Sequence, residues 1–232
     1  MAAAFTLVEL LVVVAIIGIL AALLLPAMSP AKNRAMMMTD ISNLKQQAIC
    51  LQSYASDNGD VLPWANWLAG DIRNGKALTG WLYTLNLSAQ GPARFVASTG
   101  FFWKTLGSPK LYLCPMDGPG TPLFSQRDQQ ISSYAVNGAI VGYGRCLYPP
   151  LKMAKMAPRA VSFWETNEKV PHDFNDGANF PSEGVSTRHL QGAVNAQFDG
   201  SVSYIKFLAW DDEQDQTNKN QLWCYPDSVN GR

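Results

Sequence analysis

Phe5-Thr-Leu-Val-Glu-Leu-Leu-Val-Val-Val-Ala-Ile-Ile-Gly-Ile-Leu-Ala-Ala-Leu-Leu-Leu25, followed by Pro26, decides how the rest of this chain is read. Its only polar side chains are Thr6 and Glu9, and Leu10 to Leu25 is an unbroken apolar run that contains Gly18. As a helix these residues reach about 30 Å, the thickness of a bilayer's hydrocarbon core. A cleaved secretory signal carries a basic leading region and a shorter apolar stretch, whereas Met1 to Ala4 holds no basic residue and the run is long. A plain single-pass anchor fits the length but leaves Glu9 unexplained, because an unpaired carboxylate in hydrocarbon costs about 2–3 kcal/mol or more.

Beyond the apolar run, Met37, Ile41, Leu44, Ala48, Leu51 and Ala55 recur at spacings of three and four. That pattern predicts an amphipathic continuation of the helix over residues 31–58. Pro26 removes a backbone donor, Gly18 lowers helix propensity and Pro30 repeats the disruption, so a kink near Pro26, or local melting between Gly18 and Pro26, is expected. Asp57-Asn-Gly-Asp60 ends the helix with turn residues. If continuous, Phe5 to Ser56 spans about 78 Å.

Of the 232 residues 47% are hydrophobic, and Lys plus Arg equals Asp plus Glu at 18 each. This balance excludes wholesale disorder and argues against a nucleic-acid partner, which needs a basic stripe. From Val61 the composition turns to Trp, Gly, Pro and Asn, a globular head over 59–232. Trp64, Trp67, Trp81, Tyr83, Phe95, Phe101, Phe102 and Trp103 read as its core, with a carbohydrate-stacking face as the alternative.

Strands are expected at Ile131–Val136 and Ala160–Trp164, and a hairpin at Gly192–Phe198 and Ser201–Phe207 with Asp199-Gly200 between them in a type I′ turn. The run Asp211–Asp215 reads as a solvated loop. The fold class is α+β: a long N-terminal helix, membrane-spanning in its first half, packed through its apolar stripe on a C-terminal antiparallel sheet.

Phe5-Thr-Leu-Val-Glu9 opening an apolar helix resembles the processing and assembly segment of type IV pilins and type II secretion pseudopilins. The resemblance implies a short leader, residues 1–4, cut between Ala4 and Phe5 by a prepilin peptidase that methylates the new amine. Residues 5–30 then form the transmembrane and assembly helix. Cleavage leaves the Phe5 α-ammonium as the cation a buried Glu9 needs, and the family's proposal is that Glu9 pairs with the amine of an adjacent subunit and sets its register. Gly18 and Pro26 mark the section that kinks or extends. The implied partners are further copies of the chain, other pilin-like subunits and an inner-membrane assembly platform. The implied location is the inner membrane before assembly, head extracytoplasmic, and a periplasmic or extracellular filament afterwards.

A second resemblance covers more of the chain. His189, nine residues, then Asp199-Gly200 is similar to the C-terminal signature of planctomycete-type pilin-like proteins, as are Ser42–Gln46, Leu113-Cys-Pro-Met-Asp117 and Ser133-Tyr-Ala-Val-Asn137. The signature implies no biochemical role. His189 and Asp199, with Arg188, His172, Asp173 and Asp176, sketch a hydrolase or metal site, but no H-E-x-x-H, G-x-S-x-G or phosphate loop accompanies them. A histidine hydrogen-bonded to turn groups is the simpler reading.

No catalytic residue, metal or cofactor is expected, with calcium as the exception to weigh: Asn175, Asp176, Asp211, Asp212 and Asp215 offer oxygen ligands, yet no spaced loop organises them. Cys50, Cys114, Cys146 and Cys224 lack metal spacing and outside the cytoplasm would form disulfides, with buried free thiols as the alternative. The expected function is a non-enzymatic filament subunit. The alternative is a membrane-anchored extracytoplasmic carbohydrate-binding module or enzyme.

Overall fold

Thr6 starts the first element by capping it. In the computed structural model, which describes residues 6–232 and for residues 24–27 the backbone alone, Thr6 is the N-cap of a helix, α1, running Leu7–Asp57. The expected processing site, Ala4 and Phe5, lies outside the described residues. The two segments Leu7–Leu23 and Met28–Asp57 meet at 48°, a bend at the expected place. The melting expected between Gly18 and Pro26 is absent: α1 stays helical throughout. Among the described residues no single straight helix is long and apolar enough to cross a membrane, but this bent pair passes by length and composition. At the other end Asn58 N–H donates to Tyr54 and Ala55 carbonyls, and Gly59 and Asp60 take left-handed φ of 64° and 71°, which stops the helix.

The head follows with β1 (Ile72–Arg73) and β2 (Lys76–Ala77), a small hairpin, then α2 (Trp103–Leu106). After these come β3 (Tyr134–Asn137), β4 (Val161–Glu165), β5 (Ala178–Asn179), β6 (Gly192–Gln197), β7 (Val202–Lys206) and α3 (Phe207–Gln214). The main sheet has the order β5-β3-β4-β6-β7. All its pairings are antiparallel except β3 with β5, so the sheet is mixed at one edge. The fold is α+β, with β3, β4 and β6 buried along their whole length.

The reason for that burial is a layer on each face. Leu44, Ala48, Leu51 and Ala55 of α1 pack with Phe163, Val194 and Ala196 on one side, while Trp164, Ala193, Trp210 and Leu222 pack on the other. The run Asp211–Asp215 therefore is no solvated loop: it belongs to α3 and its C-cap, anchored by Trp210, which donates to Pro181 O and lies 5.1 Å from the Trp164 ring. The aromatic group is core, as Trp64, Trp81, Tyr83, Phe95 and Phe102 are buried, with Trp67 and Trp103 packed against them; Phe101 is exposed.

The Asp199-Gly200 hairpin forms, but its turn differs from type I′. Gly200 has φ of 83° whereas Asp199 is not left-handed, Gly200 N–H donates to Gln197 O, and Gln197 N–H donates to Ser201 O. This is a three-residue loop with one left-handed glycine, which satisfies the strand twist with a single positive φ. Lys45 Nζ donates to Gly200 O at 2.6 Å and Gln52 Nε2 to Phe198 O at 3.1 Å, so α1 grips the hairpin tip by its backbone.

Candidate functional site

Two parts of the chain carry unusual chemistry, and α1 runs through both. At its start Thr6 and Glu9 form a reciprocal capping box. Glu9 N–H donates to Thr6 Oγ1 at 3.3 Å, while Thr6 N–H and the Thr6 hydroxyl donate to Glu9 Oε2 at 2.8 and 2.7 Å. Orphan N–H groups at a helix start are costly in hydrocarbon, and this box satisfies two of them. Glu9 is thus occupied within its own chain, a role its reading as an assembly residue did not include. The signal was present, since Thr-x-x-Glu ahead of an apolar run is the capping-box pattern. Every residue from Thr6 to Leu23 is exposed, Gly18 included, and the head covers none of this half.

The second part is buried. Asp40, Asn43 and Gln47 sit within the apolar stripe of α1, and all three are buried. Asn43 Nδ2 donates to the carbonyls of Lys110 and Leu113 at 3.3 and 3.2 Å, and Gln47 Nε2 donates to Leu111 O at 2.8 Å. These bonds fix the loop ahead of Cys114. That loop returns Cys114 Sγ to within 3.3 Å of His189 Nε2, and the same nitrogen lies 3.6 Å from Asp40 Oδ2 and 3.7 Å from Glu165 Oε1. The four ligand-type atoms of Asp40, Cys114, Glu165 and His189 lie within 4.8 Å of one another, all buried. Among the described residues no other group of this kind occurs.

A ring of polar partners holds them. The Tyr134 hydroxyl donates to Asp40 Oδ1, Val194 N–H donates to Glu165 Oε2 at 2.8 Å, and Met116 N–H points at Cys114 Sγ at 3.4 Å. Beside the cluster Arg127 meets Asp117 through two bonds of 2.8 and 3.0 Å, and Ser133 donates to Asp117 at 2.7 Å. Arg188 reaches Asp117 at 3.1 Å and Glu165 at 3.5 Å. Burial works against ionising Asp117, but the guanidiniums of Arg188 and Arg127 outweigh it and hold the carboxyl below its usual range. Burial, then the charge of Asp40, pushes the Glu165 carboxyl far up. Burial, with Glu165 and Asp40 alongside, pushes the Cys114 thiol up as well.

Several sequence expectations change here. His189 and Asp199 do not meet: His189 is buried before β6, while Asp199 is exposed beyond its far end, accepting from Ser201 N–H at 2.8 Å. The His189 backbone bonds Gly192, but its ring faces the cluster, not turn groups. The calcium candidates do not gather either. Asp176 is buried with its oxygens accepting from Leu68 and Ala178 N–H groups at 2.8 and 2.9 Å, while Asp211, Asp212 and Asp215 lie along α3 and its cap.

No expected disulfide forms, as Cys50, Cys114, Cys146 and Cys224 are all free thiols in separate surroundings. Burial pushes Cys50 up to about 11 and Cys224 up to about 12, which keeps them protonated and unreactive toward exchange. Asp40 and Glu165 were missed altogether. Asp40 is legible in retrospect as a carboxylate one residue from Ile41 on the core-facing stripe; Glu165 follows the expected strand by one residue and alternates with Phe163.

Residues 1–25 match the family described as the prokaryotic N-terminal methylation motif. No curated protein and no solved structure matches the chain. The motif and the helix-on-sheet fold together are consistent with a membrane-anchored, type IV pilin-like or pseudopilin chain, structural rather than catalytic in character. The match does not reach the His189, Asp199 and Gly200 signature.

Proposed function

We propose that this chain is a structural subunit of a type IV pilus-like or type II secretion pseudopilus filament, polymerised through the first half of α1. The observation that carries the reading is the exposure of every described side chain from Thr6 to Leu23, on the segment that matches the methylation motif. That much apolar surface needs a bilayer before assembly and neighbouring helices after it. A prepilin peptidase cuts between Ala4 and Phe5, an inner-membrane platform extracts the subunit, and the head faces the periplasm or the exterior. Glu9 exchanges its internal partner Thr6 for the amine of an adjacent subunit and so sets register, with donor as well as acceptor charged in the new contact.

The first measurement is intact mass with N-terminal sequencing of the protein from its host. A chain starting at Phe5 and heavier by one methyl group is expected, and a chain that keeps Met1 overturns the reading. Glu9→Ala is expected to lower filament yield more than about tenfold, equivalent to about 1.4 kcal/mol per contact. Normal filaments from that variant would remove the register argument.

A further inference from the structure

In the buried cluster of Asp40, Cys114, Glu165 and His189, the imidazole is within hydrogen-bond reach of the Cys114 sulfur, at 3.3 Å, but of neither carboxylate. His189 Nε2 stands 3.6 and 3.7 Å from the two carboxylates, beyond hydrogen-bond range. A shared proton would draw one of these oxygens to about 2.8 Å. Ligands at the corners of a tetrahedron around a zinc-sized ion, bonded at about 2.0–2.3 Å, stand about 3.3–3.6 Å from one another. The three separations from Nε2 to the other ligand atoms are 3.3, 3.6 and 3.7 Å, close to those edges, and all four atoms lie within 4.8 Å of one another, so the remaining ligands need to draw in by at most about an ångström around an ion. Asp40 Oδ2 has no hydrogen-bond partner although it is fully buried and turned toward the imidazole.

Charge points the same way. Once metal binding displaces the protons that burial holds on Glu165 and Cys114, Asp40, Glu165, Asp117 and the Cys114 thiolate carry four negative charges against the two positive ones of Arg127 and Arg188. A divalent cation brings the buried sum to zero with His189 neutral. The outer contacts suit three of the four ligands: the second oxygens of Asp40 and Glu165 are each held by a donor and the Met116 N–H faces the sulfur, while His189 Nδ1 is buried without a partner.

We propose that Asp40 Oδ2, Cys114 Sγ, Glu165 Oε1 and His189 Nε2 form a closed tetrahedral site for a divalent transition-metal ion, best suited to Zn²⁺. A thiolate and an imidazole select such an ion over calcium or magnesium. With four protein ligands and no exposure the site is structural. It ties α1 to the loop before β3, to the end of β4 and to the turn before β6. This gives His189 of the His-x9-Asp-Gly signature a task separate from that of Asp199-Gly200, which forms the hairpin tip. The site stands whether or not the chain polymerises.

The test uses the full chain, without a polyhistidine tag, purified in detergent with no chelator. Elemental analysis is expected to find about one zinc per chain, and returning Zn²⁺ to the stripped protein is expected to raise the melting temperature by at least about 10 °C. Co²⁺ in place of zinc is expected to give a thiolate charge-transfer band and the intense visible absorption of tetrahedral cobalt. Cys114→Ser and His189→Gln are each expected to weaken zinc binding at least about a hundredfold. The cobalt spectrum needs no variant, so it decides even if these two fail to fold. A folded wild-type chain whose melting ignores added Zn²⁺, or a cobalt adduct lacking the thiolate band, overturns the proposal.

Discussion

The two halves of α1 invert the usual rule for what a protein buries. From Leu7 to Leu23 the helix is almost purely apolar and wholly exposed, whereas from Asp40 to Ala55 it buries Asp40, Asn43 and Gln47 along with its leucines and alanines. The first half is apolar, capped by Thr6 and Glu9, and left uncovered by the head. The second half is built for one head, and its polar residues specify the fit: each reaches a particular carbonyl or side chain that a shifted register would leave unpaired. Hydrophobicity gives the helix somewhere to dock, and buried polar contacts decide where.

The largest effect that would sharpen this contrast is expected at Asp117, between the two guanidiniums. Asp117→Ala leaves Arg127 and Arg188 buried without their shared anion and should destabilise the head by about 3–5 kcal/mol, enough to unfold much of it. Denaturant unfolding of the full chain in detergent measures this. Retention of wild-type stability would mean the buried charges do not specify the head.

Next in size is the α1 grip on the loop before Cys114. Asn43→Ala should cost about 1–3 kcal/mol by leaving two carbonyls unpaired, while an apolar substitution at exposed Val12 should leave head melting unchanged. Equal responses at the two positions would break the comparison.

At the hairpin tip, Gly200→Ala places a side chain at φ of 83° against the flexible end of Gln52, and a loss of about 1 kcal/mol is expected. Thermal melting of the variant checks it; no loss would mean the tip adopts another turn at little cost.

The remaining effect is one of pH, read as a slope and not as a single loss. Burial, with Asp173 and Asp176 nearby, pushes Glu183 up to about 8 from an ordinary 4.5. An acid raised on folding stabilises fully below its unfolded value and loses that contribution as pH rises through its folded value. Head stability should therefore fall between pH 4.5 and about 8, and Glu183→Gln should make that fall shallower, the rest coming from Asp173 and Asp176, which burial raises to about 6 and about 7. Parallel curves for the two proteins would assign the slope to other groups.

Much of the architecture was legible because it rests on local patterns. The apolar run, the stripe from Met37 to Ala55, the Asp57–Asp60 stop and the Asp199-Gly200 hairpin each follow from spacing within a few turns of chain. The same locality explains the errors. The turn type at Asp199 depends on how β6 and β7 twist, the parallel edge at β5 on a distant strand, and the helical state of Asp211–Gln214 on Trp210 finding Trp164 across the sheet.

By itself the sequence determined that an apolar helix carrying a methylation motif runs on as an amphipathic helix, and that an α+β head follows it. Short-range periodicity and capping are properties of neighbouring residues, so they need no fold to be read. Only the tertiary structure decided that Asp40, Cys114, Glu165 and His189 share one dry pocket, that Asp117 sits between two arginines, and that the His and Asp-Gly of one signature serve opposite ends of β6. Residues so far apart in sequence carry no spacing rule, and they meet because the α1 stripe, the buried strands and the loop pinned by Asn43 and Gln47 leave them no other place.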